Sequence, residues 1–344
     1  MSHRGAGEEC FRRRHILRRK PGQSVMHAKR LAVLIALLVV GLPLALLLRS
    51  FGANPLEAPP PATDPLPPAS PPPGMAIYAL PAGTIHRTSG FAYRGGSLFE
   101  RQDSSTTAAL LRHPRGDLLI DTGFGRHIDE QFTWLPRVLR WTTTYERWTP
   151  AADQLRAIGY PPESLRAILL THAHWDHVSG MTDFPQTPVW ITPDERRYIA
   201  DNGTSTEIAK KSIGTKWEEY GFEDRPYLGF PKSRDVYGDG SIVTVHAPGH
   251  TPGSVIIFVT LPSGKRYAFV GDIVWRLEGV TQREEKPWLM RRILGEEETT
   301  LRVTLLRLIG IHERYPEIII VPAHDPRGFA DMPRLPPELP RPSH

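Results

Sequence analysis

Cysteine is almost absent. Cys10 is the single one in 344 residues, so no intrachain disulfide can form and a disulfide scaffold is excluded. Glycine shows no repeat, which removes a collagen-like chain, and 40% hydrophobic residues remove a wholly disordered one. A general basic surplus is lacking too, although the formal charge is +5. Residues 1–30 hold nine Lys/Arg against Glu8 and Glu9, a local +7 that leaves the other 314 residues at −2. A near-neutral body argues against nucleic acid as a partner.

A long apolar run is present. Leu31 to Leu48 carries no charged or polar side chain, and as a helix it would span about 27 Å, close to the hydrocarbon thickness of a bilayer. Residues 31–49 are expected to be a retained single-pass transmembrane anchor, with a signal peptide removed after secretion as the alternative. Small residues at both −3 and −1 are missing around Ala53 and Ala58, which disfavours cleavage. The basic tail 1–30 is expected in the cytoplasm and the body outside the inner (plasma) membrane, in the periplasm of a bacterial cell. Residues 50–74 contain ten prolines between Asn54 and Pro73 and read as a polyproline spacer. Residues 329–344 read as a frayed proline-rich tail.

Residues 75–328 are long enough for one large domain. Apolar runs predict strands at 75–81, 108–113, 117–121, 165–171, 189–192, 242–246, 254–260, 267–270 and 317–322, with helices over 151–158, from 193 and over 299–315. This order implies an α/β or α+β layered fold. Residues 210–220 read as a solvated helix and 283–292 as a charged loop. The aromatic stretch Trp134, Trp141, Tyr145 and Trp148 reads as a surface helix or as a flap over a pocket. His86, His113, His127 and His312 carry no motif and read as ordinary.

Chemistry concentrates in Thr171-His-Ala-His-Trp-Asp-His177, directly after a buried strand. His172 and His174 can turn inward together from an extended loop, and Asp176 and His177 can join them from a helical turn. Imidazole nitrogen with carboxylate oxygen suits first-row cations, zinc above all. His250 in Ala-Pro-Gly-His-Thr-Pro-Gly-Ser, Asp272 in Phe-Val-Gly-Asp and His324 in Val-Pro-Ala-His-Asp each follow a strand.

This constellation resembles the metallo-β-lactamase superfamily of metallohydrolases. The resemblance implies an αββα sandwich of two mixed sheets with the site at one edge. It implies that His172, His174 and His250 hold one divalent cation. Asp176, His177 and His324 would hold a second, and Asp272 would bridge them. Zn is expected, with Fe, Mn or Co as alternatives. Asp121, in Asp-Thr-Gly, would orient a ligand histidine. Two such cations would supply a bridging hydroxide as nucleophile, with Asp176 as the catalytic proton shuttle.

Within the superfamily the chain looks most similar to N-acyl-homoserine lactonases, through its opening strand, Leu-Leu-Ile-Asp-Thr-Gly, Ala-Pro-Gly-His-Thr-Pro-Gly-Ser and the 22-residue step to Asp272. Trp175 falls where those enzymes carry an acyl-pocket aromatic. Trp275 stands where they place a lactone-contacting tyrosine, a departure that separates hydrolase from lactonase activity. The expected substrate is a small ester or lactone. A thioesterase of the glyoxalase II kind, an aryl ester or phosphotriester hydrolase and a non-catalytic metal-binding relative are the alternatives. A true β-lactamase is disfavoured by Asp272, and a nucleic-acid phosphodiesterase by the neutral body.

Overall fold

The computed structural model describes residues 21–60, 63, 65–201 and 203–339. Most of the basic tail and the last residues of the proline-rich tail lie outside these described residues. Two units divide at Arg49/Ser50.

The first unit is helical. Pro21–Ala36 leads through a π turn at Leu37–Gly41 into Leu42–Phe51. Pro43 has no N–H to give and its ring crowds the preceding turn. The chain widens there instead of breaking, with Leu42 N–H bonded to Leu37 O, five residues back. Lys29–Phe51 is long and apolar enough to cross a membrane.

Among its described residues the second unit contains twelve strands in two sheets. In chain order they are β1 (Ala76–His86), β2 (Ser104–Arg112), β3 (Leu118–Ile120), β4 (Thr144–Arg147), β5 (Ala167–Leu169), β6 (Val189–Ile191) and β7 (Trp217–Glu219). Then follow β8 (Ser233–Asp235), β9 (Ile242–His246), β10 (Val255–Thr260), β11 (Arg266–Gly271) and β12 (Ile318–Pro322). One sheet runs β4-β1-β2-β3-β5-β6-β7 and the other β12-β11-β10-β9-β8. Both are mixed. β3, β5, β6 and β7 pair in parallel, as do β11 and β12, and the remaining pairs are antiparallel.

Side-chain alternation along the strands builds three cores. Ile77, Leu111, Leu118 and Leu169 of the first sheet meet Ile257, Val259, Phe269 and Val321 of the second, which joins the sheets face to face. On its other side the first sheet packs Leu80, Leu110, Leu119 and Ile168 on Ala152, Leu155 and Ile199, which lie on the helices Ala151–Ala157 and Pro193–Ala200. The second sheet packs Val245, Ile256 and Ala268 on Leu301, Leu305 and Leu308 of the helix Glu298–Arg314. The order of layers is α/β/β/α.

Four expectations fail locally. Residues 210–220 are not one helix: a short helix Glu207–Lys211 is followed by β7. Residues 283–292 are not an exposed loop, because Glu284, Glu285, Lys286 and Arg291 are buried and the helix Trp288–Leu294 begins there. The 50–74 segment is not a free spacer. Asn54 N–H donates to Glu284 Oε1 at 2.9 Å, Leu56 N–H to Arg283 O at 2.8 Å and Ser70 N–H to Asp239 O at 2.7 Å, while Leu56 and Leu66 pack on the third core. The tail is not frayed through Leu339: Phe329 and Met332 are buried, Ala79 N–H donates to Pro333 O at 3.0 Å, and Leu335 and Leu339 pack on the core between the first sheet and its helices. In both proline-rich segments, interspersed leucines supply apolar contacts that repay docking the chain.

Candidate metal centre and cavity

The seven candidate ligands hang from the carboxyl ends of four strands. The chain leaves β5 extended, so His172 and His174 project to the same side, and the short helix Trp175–Val178 presents Asp176 and His177 from its first turn. His250 follows β9. Gly249 just before it has φ +129, and a Cβ there would fall 2.4 Å from the Leu301 backbone, so only glycine fits this turn. Asp272 follows β11 and His324 follows β12. All seven are buried.

They form two adjoining groups, His172, His174, His250 and Asp272 in one and Asp176, His177 and His324 in the other. His250 Nε2 lies 3.1 Å from His172 Nε2 and 2.9 Å from His174 Nδ1. Asp272 stands between the groups. Its Oδ2 is 3.6 Å from His250 Nε2 and 3.2 Å from His324 Nε2, and its Oδ1 is 3.3 Å from His177 Nε2. His324 Nε2 is also 3.3 Å from Asp176 Oδ2.

These distances fit cations. His250 Nδ1 is 2.6 Å from Glu296 Oε1, which places its proton on Nδ1 and leaves the Nε2 lone pair facing two other imidazole nitrogens. Facing lone pairs repel unless a cation sits among them. His177 Nε2 and Asp272 Oδ1 are likewise buried without a hydrogen-bond partner. Three imidazoles with a shared carboxylate, and two imidazoles with two carboxylates, are donor sets of borderline divalent metals.

Electrostatics prepares most of these ligands. Burial pushes His172 and His250 well below the usual imidazole value, and His174 down to about 3, so all three stay neutral as ligation requires. His177 goes the other way. Burial opposes its proton, but the Asp121 and Asp272 carboxylates outweigh burial and raise it, so a cation bound there would have to displace a proton. Asp272 is held well below the carboxylate range because His324 and His177 overcome its burial.

Asp121 contacts His177 and Thr171. Its Oδ2 is 2.8 Å from His177 Nδ1, and it accepts from Thr171 N–H at 2.7 Å and Thr171 Oγ1 at 2.8 Å. To do this its backbone takes φ +50, a left-handed conformation tolerated by Asp.

Other supporting groups carry no motif. Lys286 reaches Glu296, Asp272 O at 2.6 Å and His250 Nδ1 at 3.3 Å, a buried cation clamped between two ligand loops. Glu195 accepts from Ala173 N–H at 2.7 Å, Thr251 Oγ1 at 2.6 Å and Gly253 N–H at 3.0 Å, tying the His172–His177 loop to the His250 loop. His324 Nδ1 meets Ser105 O at 2.9 Å.

Over the centre lies a cavity of about 600 Å³ lined by His174, Asp176, Asp272 and His324 on the metal side. Trp175 and Trp275 both line it. Trp175 packs on Phe124, Phe132 and Tyr145. Of the stretch 134–148, Val138, Leu139 and residues 142–144 reach the cavity, whereas Trp141 is 76% exposed. Trp134, Trp141, Tyr145 and Trp148, the aromatics that suggested a flap, are not in the lining. His86, ordinary in sequence, is also in the lining.

Comparison with known proteins agrees with this geometry. A probable metallo-hydrolase of Mycobacterium bovis is 32% identical over 232 residues, 63% of this chain and 73% of that protein. The N-acyl homoserine lactonase AttM of Rhizobium radiobacter is 26% identical over 236 residues, 66% of this chain and 84% of that protein. An N-acyl homoserine lactone hydrolase solved with N-hexanoyl-L-homoserine superimposes with a TM-score of 0.60 at 16% identity, covering 76% of this chain and 97% of that one, a likeness of fold. Residues 101–324 match the sequence profile of the metallo-beta-lactamase superfamily, and the chain is a metallo-hydrolase belonging to that superfamily.

Proposed function

We propose that the protein is a two-metal hydrolase of acyl esters or lactones, held at a membrane by its N-terminal helix. The observation that carries the reading is Asp272, with one carboxylate oxygen toward His177 and the other toward His250 and His324. Two divalent cations held by His172, His174 and His250, and by Asp176, His177 and His324, with Asp272 shared, would acidify water and polarise a carbonyl.

This chain's own residues supply the rest. The Asp176 carboxylate lines the cavity, where it takes the proton of the attacking water and returns it to the departing alkoxide. Asp121 and Glu296 hold the Nδ1 atoms of His177 and His250, which fixes both rings. The apolar lining, including Leu139, Met290 and Leu294, excludes water and suits an acyl chain. N-acyl homoserine lactones are the first compounds to try, on the strength of the AttM relatives.

Elemental analysis of the purified full chain tests the reading directly. Close to two metal ions per chain are expected, together with ester or lactone hydrolysis that is lost in His250→Ala. A chain without metal after growth in supplemented medium, or hydrolysis unchanged in His250→Ala, overturns it. Membrane placement is tested by fractionation and intact-mass measurement: a retained helix predicts the full-length mass in the membrane fraction.

A further inference from the structure

The cavity contains a positive group that the protein leaves unanswered. Outside the proposed ligands, every ionisable residue lining it is basic: His86, Arg87 and Arg101. Two of these have a partner in Asp103, whose Oδ2 is 2.9 Å from Arg101 Nη2 and 3.1 Å from His86 Nδ1. Arg87 is different. It follows the last residue of β1, and its carbonyl is pinned by Gln102 N–H at 2.9 Å. Its guanidinium carbon lies 4.5 Å from the ring centroid of Trp275, a cation–π contact between two residues that both line the cavity. Nη1 is buried with no hydrogen-bond partner, and Arg87 makes no ion pair among the described residues.

The charges that do act on Arg87 are Asp176 and Asp272, both beyond ion-pair distance and both proposed metal ligands. Cations bound there would consume their negative charge. Arg87 is partly exposed to the cavity, but its Nη1 is shut off from water, and a guanidinium so placed without a counter-charge is disfavoured, so the missing partner is expected from outside the protein. Trp275 does not compete for such a partner, because its N–H is already given to Asp272 Oδ2 at 2.7 Å.

We propose that Arg87 binds a carboxylate carried by the substrate, so that the preferred substrate is an acyl ester bearing an anionic group a few bonds from the scissile carbonyl. The acyl chain lies along Phe91, Leu139, Met290, Ile293 and Leu294, and the carboxylate meets the guanidinium. Arg87 is then a specificity-determining residue. The ester part of this statement rests on the proposed hydrolase activity, whereas the anion subsite does not.

The test uses the full zinc-loaded chain and two matched esters, O-octanoyl-N-acetylserine and its primary amide. Wild type should favour the carboxylate at least about tenfold in kcat/KM, mainly through KM, as one charge-assisted contact predicts. Arg87→Met should abolish the preference and Arg87→Lys should keep part of it, with metal content measured in each. Equal kcat/KM for the two esters in wild type, or a preference that survives Arg87→Met, overturns the proposal. Binding is read separately by calorimetry with octanesulfonate, whose headgroup is a poor metal ligand, against octanol. Sulfonate affinity at least about tenfold weaker in Arg87→Met supports the subsite even if neither ester is cleaved, in which case only the ester reading falls. An unchanged affinity overturns the subsite.

Discussion

The indole N–H of Trp275 donates to Oδ2 of Asp272 at 2.7 Å, three residues back along the chain. The side chain that lines the cavity beside the candidate metal groups is thus engaged with the carboxylate proposed to bridge two cations. Trp275→Phe keeps the ring and removes the donor. Metal affinity measured by chelator competition should fall about tenfold, as for loss of a group that orients a ligand. An affinity equal to wild type would show that the bond does not position Asp272.

Asp121 supports His177 and Thr171 at once. Asn tolerates the same left-handed backbone but offers a single, uncharged acceptor. Asp121→Asn should therefore keep the fold and weaken the second cation about 10- to 100-fold, seen as a stoichiometry nearer one than two at limiting metal. Asp121→Ala should in addition lose about 1–3 kcal/mol of stability, because the Thr171 donors are orphaned. Equal metal binding by Asp121→Asn and wild type would sink this role.

Lys286 and Glu296 are a buried ion pair next to His250, with both side chains at most 2% exposed. Burial raises the Glu296 carboxyl, and Lys286 acts against that rise. Removing one partner leaves the other charge buried alone, so Lys286→Met should destabilise the protein by about 3–5 kcal/mol in urea unfolding. The double variant Lys286→Met, Glu296→Gln should cost clearly less than the two single changes added together. Additive losses would mean that the pair is incidental.

Glu195 gives a pH signature. Burial pushes its carboxyl up to about 7, against the three hydrogen bonds it accepts. An acid whose folded pKa lies above its unfolded value makes the native state bind more protons, so stability falls as pH rises from about 4.5 to about 7. The size is roughly 3 kcal/mol for the whole window. In metal-free protein the other groups titrate alike in wild type and Glu195→Gln, so the difference between their urea midpoints should change across pH 5 to 7.5. A difference that stays flat with pH would refute the shifted carboxyl.

The sequence made the layered fold legible because strands such as 254–260 and 267–270 are continuous apolar runs, long enough to be read alone. The His172–His177 run was legible because chemistry sat within six residues, and strand ends announced His250, Asp272 and His324. Three short strands were not. β4 and β7 have four and three residues and exist through pairing with β1 and β6, both distant in the chain, and the three-residue β8 is held by pairing with the following β9. The supporting residues were hidden for a related reason. Thr192-Pro-Asp-Glu195 has the spacing of a helix capping box, and Thr192 does accept Glu195 N–H, yet the Glu195 carboxylate turns to Ala173, Thr251 and Gly253 instead. Arg87 and the Lys286–Glu296 pair carry no local pattern at all. Their meaning comes from what lies across the fold, and a charge-rich stretch such as 283–292 reads as surface until its partners are known.

The seven proposed ligands are divided between the sheets. His172, His174, Asp176 and His177 follow β5 of the seven-stranded sheet, and His250, Asp272 and His324 follow β9, β11 and β12 of the five-stranded one. Each proposed cation draws ligands from both, so neither sheet owns a complete coordination sphere. Metal bound there would act as a clasp across the seam. A chain that has formed its two sheets but not mated them would offer neither proposed cation its full set of ligands. Chelation would act on the seam between the halves, where an ordinary inhibitor would act on the pocket, and catalytic competence would certify that the sandwich had closed.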